Sequence, residues 1–183
     1  MMKSFFSGKE LWRIIGKDNS NIKKLGRELN VKINIDKQGN IEIKSIKNDS
    51  FIEYIALKII DALALGFEIE TALLLKDEKY SLVKINIHSY VKESRQKEVT
   101  GIVIGTKGMT KRIIEELSEC EIVIAEHNIG IIGKNENAEL ANEAIIMLLR
   151  GAKQAAVYRF LEKSQPRIKA IHEEQVEELI KKD

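Results

Sequence analysis

Twice along the chain, short runs with apolar residues at alternate positions are set between longer stretches in which apolar residues return every three or four positions. Lys32-Ile33-Asn34-Ile35-Asp36 and Glu121-Ile122-Val123-Ile124-Ala125 read as strands with one buried face. Short turns, Lys37-Gln38-Gly39-Asn40 and Glu126-His127-Asn128, return the chain into Ile41-Glu42-Ile43 and Ile129-Gly130-Ile131-Ile132, so each pair makes a hairpin. Phe51, Ile55, Ile59 and Leu63 fall at four-residue steps, and Leu140, Ala144, Ile145, Leu148 and Leu149 keep helical spacing. A longer helix therefore follows each hairpin, with Asp49 or Ser50 as the expected N-cap of the first and Asn135 or Asn137 of the second. Residues 3–6 and 81–87 are the expected opening strands. Gly66-Phe67 leading into Ala72-Leu73-Leu74-Leu75, and Gly151-Ala152 leading into Val157-Tyr158-Arg159-Phe160-Leu161, predict a further helix that caps each core.

Between opening strand and hairpin lies the feature that carries chemistry. In Gly101-Ile102-Val103-Ile104-Gly105-Thr106-Lys107-Gly108-Met109-Thr110-Lys111-Arg112-Ile113-Ile114, an apolar helix end runs into a Gly-x-x-Gly loop and out into a basic, then apolar, helix. Two glycines permit backbone angles closed to other residues and leave no Cβ in the way of an approaching chain. Thr106 and Lys107 stand at the tip, ahead of a helix start whose free N–H groups and positive dipole end favour phosphate. Lys111 and Arg112, a turn further on, extend the cationic reach. Such a pattern also suits any tight helical corner, so its context decides. At a spacing of 89 residues, Ile14-Ile15-Gly16-Lys17-Asp18-Asn19-Ser20-Asn21-Ile22-Lys23-Lys24-Leu25 repeats it, with helices over 20–29 and 109–118. The order strand, helix, glycine loop, helix, strand, strand, helix occurs twice.

The two loops differ. In the first, Asn19 replaces the second glycine; Asn tolerates left-handed angles, so the turn is expected to survive. Asp18 sets a negative charge where phosphate would pass, against Lys17, Lys23 and Lys24. The second loop is therefore the expected principal clamp, and the first a weaker or differently oriented surface. Trp12, on the helix leading to Gly16, is expected to pack in the core.

With 183 residues and 44% hydrophobic content the chain can bury real cores. No apolar run approaches the roughly 18 residues needed to span a bilayer, and residues 1–8 lack the long apolar stretch of a secretory signal. A cytoplasmic protein without a membrane partner is expected. The lone Cys120 excludes an internal disulfide and reads as a small buried hydrophobe. A formal charge of +2 conceals alternation: residues 1–44 carry net +5 and 80–112 net +5, while 45–79 carry −3 and 113–150 carry −6. Both basic blocks contain a glycine loop, which fits a local footprint for nucleic acid.

No catalytic constellation emerges. His88, His127 and His172 are scattered and have no metal-like spacing with Cys120. Residues 101–107 lack the spacing and the Gly-Lys-Ser/Thr order of a nucleotide P-loop. Glu115, Glu116 and Glu119 read as solvated helix-face charge. An enzyme, a cofactor and a metal are therefore not expected.

The doubled order is similar to that of type I KH domains in tandem, an α+β fold in which each unit is a three-stranded antiparallel sheet with helices on one face. Residues 1–76 would be the first unit with its capping helix and 80–163 the second. A tail, 164–183, begins with a breaker at Pro166 and forms either a short helix or a mobile end. Residues 101–116 and 157–162 resemble most specifically the archaeal KH proteins of pre-ribosomal RNA handling, counterparts of the eukaryotic small-subunit assembly factor called partner of Nob. By that resemblance the protein holds single-stranded RNA near the 3′ end of small-subunit ribosomal RNA. The contacts would come from Gly105, Thr106, Lys107, Gly108, Lys111 and Arg112, with Val103 and Ile104, Ile113 or Ile114, and Ile122 or Ile124 lining an apolar groove for bases. Weaker contacts would come from Gly16, Lys17, Asn19, Lys23 and Lys24. Implied partners are the pre-ribosomal small subunit, the Nob endonuclease and the alpha subunit of archaeal initiation factor two. A KH adaptor in RNA decay or translational control, and a protein-interaction scaffold, are the alternative functions.

Overall fold

The computed structural model describes residues 2–180 apart from Ser7 and Lys37, with the backbone alone described at 167–169 and 171–180. The first unit runs β1 (Met2–Phe5), α1 (Gly8–Ile15), α2 (Ser20–Leu29), β2 (Val31–Ile35), β3 (Asn40–Ser45), α3 (Ser50–Leu65) and the short α4 (Ile69–Leu73). The second repeats it as β4 (Tyr80–Asn86), α5 (Gln96–Ile104), α6 (Met109–Ser118), β5 (Glu121–Ile124), β6 (Asn128–Lys134), α7 (Asn135–Leu149) and α8 (Gln154–Ile180). Each unit holds a three-stranded antiparallel sheet, ordered β1-β3-β2 and β4-β6-β5. The expected α+β fold is thus present in both units.

Local chemistry explains most boundaries. Asp49 Oδ1 accepts from the N–H groups of Phe51 and Ile52, as expected of the α3 N-cap. At α7 the expectation fails, since Lys134 is the N-cap residue and makes no side-chain cap. Asn135 instead donates to the Glu78 carbonyl at 3.0 Å, and its backbone N–H donates to that of Lys79. Asn137 is buried and donates to the Ser118 carbonyl at 2.7 Å, satisfying the end of α6 rather than the start of α7. Nor does Pro166 break the chain, because α8 continues through it. The missing N–H frees the carbonyl of residue 162, and both 162 and 166 are exposed, so water can take that carbonyl. Residues 181–183 of the expected tail lie outside the described residues.

The expectation of helices on one face alone holds for the first sheet. There Ile41 and Ile43 are fully buried while Lys3, Phe5, Lys32, Asn34 and Lys44 on neighbouring positions are exposed. The second sheet is covered on both faces. Val83, Ile85, Ile122, Ile124, Ile129 and Ile131 face its own helices, whereas Tyr80, Leu82, Val123, Ala125 and Ile132 pack into the core of the first unit. Strands with both faces buried read as near-continuous apolar runs, and Ile122-Val123-Ile124-Ala125 is one. Gly130 permits the close approach: a Cβ there would lie 2.8 Å from Phe67 Cε2 and 3.0 Å from Leu65 Cδ1. The end of α3 and the turn after it thus seat on β6, joining the two units through a shared apolar layer.

Candidate nucleic-acid interface

The two glycine loops have the same backbone. Gly105 has φ 74 and ψ 173, Gly16 has φ 70 and ψ 174; Lys107 (52, 31) matches Asp18 (54, 33), and Gly108 (77, 11) matches Asn19 (61, 26). Each loop begins with a helix-closing bond, Gly105 N–H to the Gly101 carbonyl at 2.9 Å and Gly16 N–H to the Trp12 carbonyl at 3.0 Å. The first glycine is demanded by space as well as by φ. A Cβ on Gly105 would lie 2.6 Å from the Thr110 backbone N, and one on Gly16 would lie 2.7 Å from Asn21 Cγ. A Cβ on Gly108 would meet nothing within 4 Å. Only the left-handed backbone favours glycine there, so Asn19 is tolerated and the expected survival of the turn is observed.

Neither following helix is capped by a side chain; the Ser20 and Met109 N–H groups are met by the Lys17 and Thr106 carbonyls, and the Gly108 N–H donates to the Gly105 carbonyl at 3.2 Å. In the second unit the positive dipole end of α6 stands behind the loop, with Thr106 and Lys107 exposed at the tip. Among the described residues Lys107 and Lys17 form no ion pair, so both cations are free to meet an anion. The other basic residues are engaged. Lys111 Nζ bonds Glu115 Oε1 at 2.7 Å, and that oxygen also accepts the Ile122 N–H at 2.8 Å, so the pair fastens α6 to β5. Arg112 stands 3.5 Å from Glu116 on an exposed face, a weak pairing. In the first unit Lys23 donates to the Asp18 carbonyl at 3.1 Å, and Lys24 pairs with Glu70 of α4 at 2.6 Å. The hydrogen bond and charge of Lys24 hold the Glu70 carboxyl below the usual range. Lys24 thus links α2 to α4 through an exposed pair, beside its expected place at the interface.

The apolar groove is also redrawn. Val103, Ile114 and Ile122 are core residues with almost no exposure. Their neighbours form the accessible surface: Ile104 is 38% and Met109 48% exposed, with Ile113 and Ile124 half-buried beside them. Helical and strand geometry turns alternate residues of each pair inward, which the spacing alone left open. Met109 went unanticipated, although its place directly after the loop marks it as a first-turn residue. Trp12 overturns its expectation outright, being 76% exposed.

Cys120 meets its expectation. It is buried against β6, and burial pushes its thiol up to about 11, which keeps it protonated. His88 and His127 stack at a centroid distance of 4.7 Å, and His88 also contacts Gln96, so these two help hold the β5–β6 turn to the segment after β4. Among the described residues no group of three or more His, Cys, Asp or Glu is placed to hold a metal ion, and no helix is long and apolar enough to cross a membrane.

Two sheets in the order β1-β3-β2, each with a glycine loop between its first two helices, define a tandem type I KH protein. Residues 81–166 match the family described as eukaryotic type KH-domain, KH-domain type I. A KH domain-containing protein of Methanocaldococcus jannaschii is 35% identical over 159 residues, covering 85% of this chain and 70% of that one. The pre-rRNA-processing protein pno1 of Emericella nidulans is 31% identical over 148 residues, and there the chain spans only 57% of the relative's length. Among solved structures, Dim2p from Pyrococcus horikoshii superposes with a TM-score of 0.80 at 32% identity, covering 88% of this chain and 98% of that one. A chain of the a/eIF2alpha–aDim2p–rRNA complex from the same organism gives 0.83 at 31%, covering 91% and 94%. The chain belongs to the family of Dim2p and the PNO1 pre-rRNA-processing proteins.

Proposed function

We propose that this protein binds single-stranded RNA in small ribosomal subunit assembly, holding the 3′ region of the small-subunit rRNA through the 105–108 loop during rRNA processing. The observation that carries this reading is the second loop itself: an uncapped helix start, an unpaired Lys107 and a glycine at each end, beside an accessible apolar strip of Ile104, Met109, Ile113 and Ile124. Phosphates sit over Thr106, Lys107 and the positive start of α6, with about four nucleotides held, as in other KH loops. Arg112 adds long-range attraction, while Lys111 acts by fixing α6 to β5. Bases lie on the Ile104–Met109 strip.

The first unit supports this function with a loop of the same shape but opposite tip charge, Asp18 in place of Lys107. Lys17 and Asn19 make its weaker contacts. Membership in the family, together with a relative solved in a complex with rRNA and a/eIF2alpha, supports rRNA as the ligand and the alpha subunit of initiation factor two as a partner. The pre-ribosomal small subunit and the Nob endonuclease are the further partners of this reading, and a cytoplasmic location goes with it. We read the protein as a binding factor rather than a catalyst.

The test is a titration of short single-stranded RNAs, one copying the rRNA 3′ end, at several salt concentrations. Binding should weaken with salt, the log–log slope approaching about 0.7 per phosphate neutralised. Lys107→Asp with Gly108→Asp should abolish it while leaving the fold unchanged by circular dichroism. Affinity indifferent to both salt and the double substitution would refute the assignment.

A further inference from the structure

Trp12 is the only tryptophan of the chain, and at 76% exposure it leads the large apolar side chains among the described residues. Its position is specific. The Trp12 carbonyl accepts the Gly16 N–H at 3.0 Å, so the residue sits one helical turn before the first glycine loop, on the face that runs into it. The corresponding residue of the second unit is Gly101, whose carbonyl accepts the Gly105 N–H at 2.9 Å and around which a Cβ would find open space. Two loops of the same backbone shape are therefore approached across bare backbone in one unit and across an indole in the other.

We propose that the Trp12 indole is a stacking platform for a base of the same RNA strand that the second loop clamps, so that the first unit binds RNA chiefly through a base, with Lys17 and Asn19 adding weaker contacts. This rests on the RNA-binding function proposed above. Asp18 at the tip of the first loop disfavours a phosphate there, whereas stacking on an aromatic face needs no phosphate partner and accepts any base. The surroundings favour nucleic acid over a protein partner: on α1 the exposed neighbours of Trp12 are Lys9, Glu10 and Arg13, and Lys17 follows at the loop. A protein-docking patch would surround the indole with exposed apolar side chains; here the exposed side chains near it on α1 are charged, with Lys9 and Arg13 outnumbering Glu10.

The strand has a route between the units. Ile124 borders the groove of the second unit, and the β5–β6 turn that follows it faces α1 across a cleft of about 410 Å³ lined by Lys9, Arg13, Leu65, Glu126 and His127 among others. Lys9 Nζ lies 3.6 Å from Glu126 Oε1, and Arg13 is anchored by donating to the Ala64 carbonyl at 3.2 Å. RNA leaving the groove over this turn meets Lys9 and Arg13, balanced by Glu10 and Glu126, before it reaches Trp12 on the same helix as Lys9 and Arg13.

Because Trp12 is the sole tryptophan, its own emission reports the contact. The full-length protein is titrated with an RNA copying about 12 nucleotides of the rRNA 3′ end and with one of about four, the length that a single loop holds, following both labelled-RNA anisotropy and tryptophan emission. With the long RNA, emission should be quenched in parallel with anisotropy. Trp12→Ala should weaken that RNA by about tenfold, leaving the short RNA and the thermal midpoint unchanged, and Trp12→Phe should recover most of the loss. Anisotropy showing tight binding of the long RNA, with emission unchanged and Trp12→Ala binding like wild type, overturns the proposal while leaving the clamp assignment standing. Loss of binding in Trp12→Ala together with indifference to Lys107→Asp and Gly108→Asp keeps the platform and removes the clamp. Absence of RNA binding in the wild type overturns both. A lowered midpoint with equal losses on both RNAs assigns Trp12 a folding role and also overturns it.

Discussion

Gln154 Nε2 donates to Thr110 Oγ1 at 2.8 Å, and the same amide reaches the Ile102 carbonyl at 3.3 Å. A residue of the capping helix α8 thereby ties together the end of α5 and the start of α6, directly behind the 105–108 loop. In the first unit Asn21, the counterpart of Thr110, spans the gap unaided by donating to the Arg13 carbonyl at 2.9 Å. The same frame is closed by one residue in the first unit and by two in the second.

Removing that amide should therefore loosen the loop. Gln154→Ala is expected to cost about 1–2 kcal/mol, a fall in Tm of about 2–6 °C, with a several-fold loss of RNA affinity. Adding Thr110→Asn should restore part of both by recreating the Asn21 arrangement. Calorimetry and RNA titration of the single and double variants check this; simple additivity of the two substitutions would contradict it.

Gly105 and Gly108 are unequal in what they tolerate. At Gly105 the Cβ of alanine would press on Thr110 N at 2.6 Å with φ held at 74°, and Gly105→Ala should lower Tm by at least about 5 °C. Gly108→Asn copies Asn19 into open space and should cost less than about 1 kcal/mol. Thermal melts of the two variants, with RNA affinity measured alongside, separate the steric demand from the backbone preference.

Gly130 sets how closely the two units approach. Gly130→Val would drive methyl groups into Phe67, Leu65 and Val123 Cγ2, which lies 3.1 Å from a Cβ there. An overpacking cost of about 1–3 kcal/mol is expected. If the shared layer couples the units, the variant's unfolding should broaden or split into two transitions, as calorimetry would record.

Asp61 on α3 supplies a pH dependence. Burial pushes its carboxyl above the ordinary value of 3.8, Lys84 of β4 pulls it back down, and Glu10 adds to the rise. The folded state then holds the proton more tightly than the unfolded one, so stability falls as pH climbs from about 3.8 through the raised value and stays reduced above it. Asp61→Asn should raise Tm at pH 7 by about 1–2 °C, and the gain should shrink as pH falls through about 3.8 and vanish well below it, where both states are protonated. A gain that is constant across this range would show that the carboxyl's titration has no part in it.

The repeat, the helices over 20–29 and 109–118, the hairpins and the unequal loops were all legible in the sequence, because each rests on local rules. Strand alternation, helical spacing and the backbone freedom of glycine act between near neighbours. The direction of individual side chains was less legible. Ile104 and Val103 are adjacent and equally apolar, yet one is exposed and the other buried, and only the packing of α5 against α7 separates them. Trp12 was misjudged because hydrophobicity predicts burial on average, while α1 turns that position to solvent.

By itself the sequence determined two units of one topology, each with a clamp-shaped loop, and placed the negative charge on the first and the cation on the second. Tertiary structure alone decided that the second sheet is buried on both faces, that Lys24 pairs with Glu70 and Glu115 with the Ile122 N–H, and that Gln154 stands behind the second loop, bonded to Thr110 44 residues away. The physical reason is range. Backbone conformation and loop charge follow from residues a few positions apart, whereas burial, pairing and support depend on surfaces that meet only when the helices of each unit fold onto its sheet and the two units close on each other.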